Sequence, residues 1–256
     1  MARTFGRTAF HFPSLDTTMR RAAELARDGS PEGTIVTADS QSAGRGRLGR
    51  NWISEPGLGL YLSLVLRPDC QADAAPVLTL IAGLGVKETL ERAAGVRCDL
   101  RWPNDILVGE KKCCGILVEM ETEQQRVAHV IVGIGINLNH LAFPPELTEI
   151  ATSLRIETGR EWSREDLLDP LMDSLESCYE LHRMRGNDPI LDAFHQESSF
   201  AIGRRVVVEG LPADAAGPLR GVTAGLDSRG MLLLRTADGT VAPILAGSVR
   251  ADPCTM

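Results

Sequence analysis

Leucines stand at every second position from Leu58 to Leu66, and this period of two predicts a strand with one buried face. Arg67-Pro68 ends it. Thr34–Ala38 reads as a short strand before it. A longer apolar run, Val127 to Asn139, closes on Gly133-Ile134-Gly135-Ile136-Asn137-Leu138-Asn139 and predicts a central strand buried on both faces. Leu100–Val108 and Cys113–Met120 flank a turn near Gly109 and predict a hairpin. Helical spacing covers Arg20–Asp28, with Asp16, Thr17 and Thr18 as candidate caps, and Pro76–Ala93, stopped by Gly95. Looser helical patterns follow over Leu147–Thr158, Ser163–Arg185 and Asp188–Glu197.

Near Phe200 the texture changes. Arg204–Glu209, Leu219–Leu226, Gly230–Arg235 and Val241–Ile244 are short β-rich pieces, separated by turns at Asp227-Ser228-Arg229-Gly230 and Ala237-Asp238-Gly239. Such a density of short strands predicts a small barrel. The domain boundary falls at about residue 199, giving a large domain over 1–198 and a small one over 199–256. No internal repeat or low-complexity tract interrupts either part.

Composition narrows the functional classes. The 256 residues suffice for one large domain or a large and a small one, and a hydrophobic share of 43% supplies an ordinary core. Lys+Arg 27 against Asp+Glu 34 leaves a net charge of -7, which argues against non-specific wrapping of nucleic acid. No apolar run reaches the length of a membrane span, and the opening residues lack the apolar centre of a signal peptide, so a cytoplasmic protein is expected. The six cysteines, Cys70, Cys98, Cys113, Cys114, Cys178 and Cys254, show no paired metal spacing and read as reduced thiols.

Against this acidic background one stretch stands out: Gly44-Arg45-Gly46-Arg47-Leu48-Gly49-Arg50-Asn51-Trp52. Glycine lets a ligand approach the main chain, and arginine offers a planar fork of donors to phosphate or carboxylate. Ending on an aromatic ring, the loop suits an anionic, ring-bearing ligand such as a nucleotide. Taken alone it also reads as a solvated basic turn. Thr17 and Thr18 read equally as a helix cap or as hydrogen-bonding groups for a polar ligand. Trp102-Pro103-Asn104-Asp105 reads as an Asx-type turn into a strand, and Lys111-Lys112 as a charged turn.

It is the order of these pieces that adds information. The arginine-glycine loop, the Trp-Pro-Asn-Asp turn, the Lys112-Cys113-Cys114-Gly115-Ile116-Leu117-Val118-Glu119 segment and the Gly133–Asn139 strand end together resemble the biotin–protein ligases (biotin–[acetyl-CoA carboxylase] ligases). The resemblance runs from about Ser14 to Arg250. It implies an α+β catalytic domain, a mixed sheet with flanking helices related to class II aminoacyl-tRNA synthetases and lipoate ligases, followed by an SH3-like C-terminal barrel. It further implies an enzyme that uses ATP and Mg²⁺ to convert biotin to biotinyl-5′-AMP, then transfers biotin to a lysine of a carboxyl carrier domain.

Carried over residue by residue, the resemblance assigns biotin contacts to Thr17, Thr18, Met19, Gln41, Arg45, Gly46, Arg47, Lys112 and Gly115. It assigns the ATP and adenylate side to Arg47, Arg50, Trp52, Asn104, Asp105, Asn137 and Arg250, with Asp105 a candidate Mg²⁺ contact. Lys112, with Arg45 and Arg47, is expected to carry the reaction. The family's Ser-Thr-Asn is Thr17-Thr18-Met19 here, which keeps the hydroxyls and loses the amide. A chain opening almost directly on the catalytic part is expected to be monofunctional, without the DNA-binding domain of the members that double as repressors. Monomer and homodimer both occur in the family. The rival readings are a lipoate or octanoate ligase of the same architecture, and a non-catalytic adenylate-binding regulator.

Overall fold

A computed structural model describes residues 3–70, 75–124, 126–210 and 217–252; Cys254 lies outside the described residues. In chain order the first part runs β1 (Ala9–Phe12), α1 (Thr18–Arg27), β2 (Ile35–Ala38), β3 (Gly59–Leu66), α2 (Ala75–Ala94), β4 (Cys98–Arg101), β5 (Asp105–Val108), β6 (Lys111–Glu123), β7 (Arg126–Asn137), α3 (Leu154–Thr158), α4 (Glu165–Arg185) and α5 (Asp188–Glu197). These strands form one seven-stranded sheet in the order β1-β2-β3-β7-β6-β5-β4. Only β1 and β2 pair in parallel, so the sheet is mixed. β7, the apolar run that ends in alternating glycines, occupies its middle.

The leucine period of β3 gives one face correctly, but both faces are buried. Leu60, Leu62, Leu64 and Leu66 join the core beneath α2 and α4, while Val65 of the other face packs with Met19, Ala22, Leu25 and Ala26 of α1. The helix α1 supplies the second cover. Of the three candidate caps, Thr17 takes the role, its hydroxyl accepting from the Met19 N–H.

The helix expected over Leu147–Thr158 contracts to α3, Leu154–Thr158, capped by Ser153 Oγ and closed by Gly159 at φ 73°. The reason lies upstream. Lys112 N–H donates to Ile150 O at 2.8 Å, and Thr152 N–H donates to Lys112 O at 3.0 Å, so Ala151 is held in a parallel bridge against β6. The N–H of Thr152 and the C=O of Ile150 are thereby committed to Lys112, and the turns at 145–150 do not run on into α3 as one helix.

Beyond α5 the chain forms β8 (Ile202–Glu209), β9 (Leu219–Leu226), β10 (Leu232–Arg235), β11 (Val241–Pro243) and β12 (Ser248–Ala251). They make an antiparallel sheet in the order β11-β10-β9-β8-β12 whose ladder stays open between β11 and β12 among the described residues. Its apolar side continues the core of the large sheet: Val206, Val208, Leu232, Leu234 and Val249 belong to one cluster with Leu100, Trp102 and Ile106. Trp102 Nε1 donates to Gly230 O at 3.0 Å, and Ser198 Oγ donates to Leu100 O. No helix among the described residues is long and apolar enough to cross a membrane.

Candidate active site

Strand register builds the floor of the site. Tyr61, Gly135, Gly115 and Asp105 stand in one row across β3, β7, β6 and β5, and Ser63, Gly133 and Leu117 form the next. Two neighbouring glycines leave a strip of bare backbone on the face shared with α1. That strip is already in use. A methyl on Gly135 would come 2.5 Å from the Trp52 indole, one on Gly115 would meet Trp52 at 3.0 Å and Lys112 Nζ at 2.9 Å, and one on Gly133 would meet Met19 Sδ at 2.7 Å. Any side chain here would displace the walls of the cavity.

At the α1 end the polar groups are fixed by one another. Gln41 Oε1 accepts from the Thr18 N–H at 2.8 Å and from its hydroxyl at 3.2 Å, while Gln41 Nε2 donates to Ser54 Oγ at 2.9 Å. Ser63 Oγ donates to Thr18 Oγ1 at 2.8 Å. Ser54 and Ser63 are supporting groups that sequence reasoning missed, because neither stands in a recognisable motif.

The arginine-glycine loop is a tight hairpin. Gly46 N–H donates to Arg50 O at 2.7 Å and Trp52 N–H to Gly44 O at 2.9 Å, with a single 3-10 turn at Arg47–Gly49. This geometry turns Arg47 inward. Its Nη1 donates to Asn104 Oδ1 at 3.3 Å, and Asn104 in turn donates through Nδ2 to Ile116 O at 2.8 Å. Burial lowers the Arg47 guanidinium from its ordinary value, Asp105 opposes that and Arg50 adds to it, and the group stays charged.

Lys112 is part of β6, beside the bulge where Ile106 and Leu107 shift register. Its ammonium stands 2.5 Å from Asp105 Oδ1 and 5.3 Å from the Trp52 ring centroid, a cation–π contact. Asp105 Oδ2 accepts from Arg101 Nη2 at 2.7 Å. Burial alone would raise the Asp105 carboxyl, but Lys112 and Arg101 outweigh it and hold it below its ordinary value. The expected Mg²⁺ contact at Asp105 does not fit this arrangement. Both oxygens already hold cations, and a divalent ion would have to displace Lys112. Arg101, which the sequence reading passed over, was accessible as the cation four residues ahead of Asp105 in the same turn.

Two cavities meet at this corner. A narrow one of about 50 Å³ runs along the glycine strip between Thr17, Thr18, Met19, Gln41, Arg45 and Trp52. A cleft of about 890 Å³ lies between the large sheet and the C-terminal sheet, reached by Arg50, Asn137, Arg204 and Arg250. A space of that size accommodates a nucleotide. Gly46, Arg47, Trp52, Asn104 and Lys112 line both. Asn137 reaches the cleft with its amide committed, Nδ2 donating to Thr152 O at 2.9 Å, and Arg250 pairs with Glu209 at 3.5 Å. His140 and Phe143, stacked at 4.9 Å, add an aromatic wall that no sequence signal announced. Cys113 and Cys114 lie buried behind the site, where burial pushes both thiols upward and leaves them neutral packing groups.

Residues 11–137 match the signature of the biotin/lipoate A/B protein ligase family. The bifunctional ligase/repressor BirA of Bacillus subtilis (strain 168) is 40% identical over 236 residues, spanning 91% of this chain and 71% of that protein. The biotin–[acetyl-CoA-carboxylase] ligase of Paracoccus denitrificans is 33% identical over 229 residues, 88% of this chain and 92% of that one. The solved biotin protein ligase from Aquifex aeolicus in complex with biotin and ATP superposes with a TM-score of 0.80 at 31% identity, covering 96% of this chain and 100% of that one. The chain belongs to the biotin/lipoate A/B protein ligase family, among its biotin protein ligases.

Proposed function

We propose that the protein activates biotin with ATP to biotinyl-5′-AMP and transfers the biotinyl group to a lysine of a carboxyl carrier domain. The observation that carries this reading is the shared corner, where a narrow acid channel and a nucleotide-sized cleft meet at Gly46, Arg47, Trp52, Asn104 and Lys112. In the first step a carboxylate oxygen attacks the α-phosphorus and pyrophosphate leaves. In the second the carrier amine attacks the acyl carbon and AMP leaves. Both reactants of the first step are anions, and fixed cations at the junction offset their repulsion.

The chain's own groups divide this work. Arg47, steadied by Asn104, and Lys112, steadied by Asp105, face the junction with charge already in place. Arg45 and Gly46 close the channel from the loop side, and Trp52 supplies an apolar wall between acid and nucleotide. Thr17, Thr18 and Gln41 suit a ureido ring, whose N–H and C=O groups require partners, better than an apolar acyl or dithiolane end. Arg50, Asn137 and Arg250 belong to the nucleotide cleft.

The test is ATP–pyrophosphate exchange with biotin, lipoate and octanoate as parallel acids, followed by transfer to a purified carrier domain. Exchange that depends on biotin alone supports the assignment. Exchange with lipoate or octanoate moves the protein to the sister activity. A folded preparation that exchanges with none of the three overturns the ligase reading.

A further inference from the structure

At the tip of the ligand loop, Leu48 has φ 57° and ψ 32°, a left-handed backbone that leucine seldom adopts, and its side chain is 52% exposed. Strain of this kind at a loop tip points to a use. Gly49 beside it takes φ 72° at no such cost, so the turn itself does not explain why a leucine stands at 48. The side chain's contact does. Leu48 Cδ1 lies against Gly210, so close that a methyl on Gly210 would come 2.8 Å from it.

The neighbouring residue reaches the same place. Arg47 Nη1 donates to Gly247 O at 3.3 Å. In the β8–β12 ladder Ser248 is paired with Glu209, so Gly247 and Gly210 are the next pair outward, side by side at the end of one ladder. Both have positive φ, 114° and 70°. The tip of the loop therefore touches one bare spot on the C-terminal sheet through two consecutive residues, one apolar and one polar.

We propose that this glycine pair is a catch for the ligand loop, and that Leu48 is a positioning residue that sets how long the loop stays closed over the acyl-adenylate. The inference rests on the ligase reading above. Leu48 touches the catch and has no place in the acid channel or the nucleotide cleft. Its effect passes through Arg47, which the contact holds between Asn104 and Gly247.

The experiment measures release of enzyme-bound acyl-adenylate, formed from biotin and ATP without carrier, in wild type, Leu48→Gly, Leu48→Asp and Leu48→Met. Leu48→Gly relaxes the backbone but removes the contact, so release about fivefold to tenfold faster is expected, with hydrogen exchange over 44–52 accelerated in the liganded protein and the thermal midpoint unchanged. Leu48→Asp should do the same, and Leu48→Met, which still reaches Gly210, should stay close to wild type. Gly210→Ala should also speed release, and combined with Leu48→Gly should add little more, as expected for partners in one contact. Release at the wild-type rate from both Leu48→Gly and Leu48→Asp overturns the catch while leaving the ligase reading intact. A wild-type protein that forms no adenylate at all removes both.

Discussion

Lys112 Nζ and Asp105 Oδ1 stand 2.5 Å apart, and Lys112 is one of the two cations that hold the Asp105 carboxyl below its ordinary value. Removing the ammonium acts twice. Lys112→Ala should lower biotin-dependent pyrophosphate exchange by about 10²–10³, as for loss of one preorganised charge donor. It should also cost about 1–2 kcal/mol of stability, the lower end for a broken ion pair, because the pair is partly exposed and Arg101 still holds Asp105. Exchange assays and denaturant melts read the two effects separately, and wild-type exchange in a folded variant would refute the role given to Lys112.

The same pair sets a direction with pH. Asp105 titrates below its ordinary value of 3.8 in the folded protein. A depressed carboxyl stabilises the fold fully above its unfolded value, and the contribution is lost as pH falls through the folded value. Stability from this pair should therefore be level from neutral pH to about pH 5 and fall only in stronger acid. In Asp105→Asn the acid limb should flatten, as followed by thermal midpoints from pH 3 to 7. A variant curve parallel to wild type would contradict the assignment.

Gly135 lies under the Trp52 indole with no room for a methyl. Gly135→Ala should push the ring into the acid channel and raise the biotin KM by at least about tenfold, with the circular dichroism spectrum kept. Since Trp52 rides on a loop, the sheet itself need not distort. Unchanged biotin affinity in this variant would show that the indole is not a wall of the channel.

Met19 is buried with Ala22, Val36, Val65 and Ile131, its sulfur over Gly133. Met19→Asn, which restores the amide usual in the family, should destabilise the ligand-free protein by about 1–3 kcal/mol, because the amide enters an apolar cluster. Biotin should recover part of that loss if the amide meets the ligand. Urea unfolding with and without biotin separates the two effects. An apo stability equal to wild type would show that the cluster tolerates a polar group.

Much of this arrangement was legible in the chain. The apolar run at 127–139 declared a central strand, and the glycines at 133 and 135 fell on the one face where their bareness matters. The arginine loop and the Trp102–Asp105 turn were readable as local patterns, whereas Lys112, read from the residues alone as part of a charged turn, lies in β6. What stayed hidden depends on partners far away in sequence. The second buried face of β3 requires α1, and the bridge at Ala151 requires Lys112. Ser63 and Ser54 gain meaning only when Gln41 and Thr18 fold against them.

The two sheets share their core, with Trp102 in the β4–β5 turn reaching Gly230 in the turn before β10 and Val206, Leu232 and Val249 packed into the same apolar cluster. The tail is thus no detachable accessory. Its loss would strip the cover from Leu100, Trp102 and Ile106 and leave the catalytic half with an open wound of hydrocarbon. Engineering that seeks a smaller ligase by cutting at residue 199 would first have to re-surface that exposed patch, and exchanging tails between relatives would succeed only where the buried partners of Trp102 travel with them.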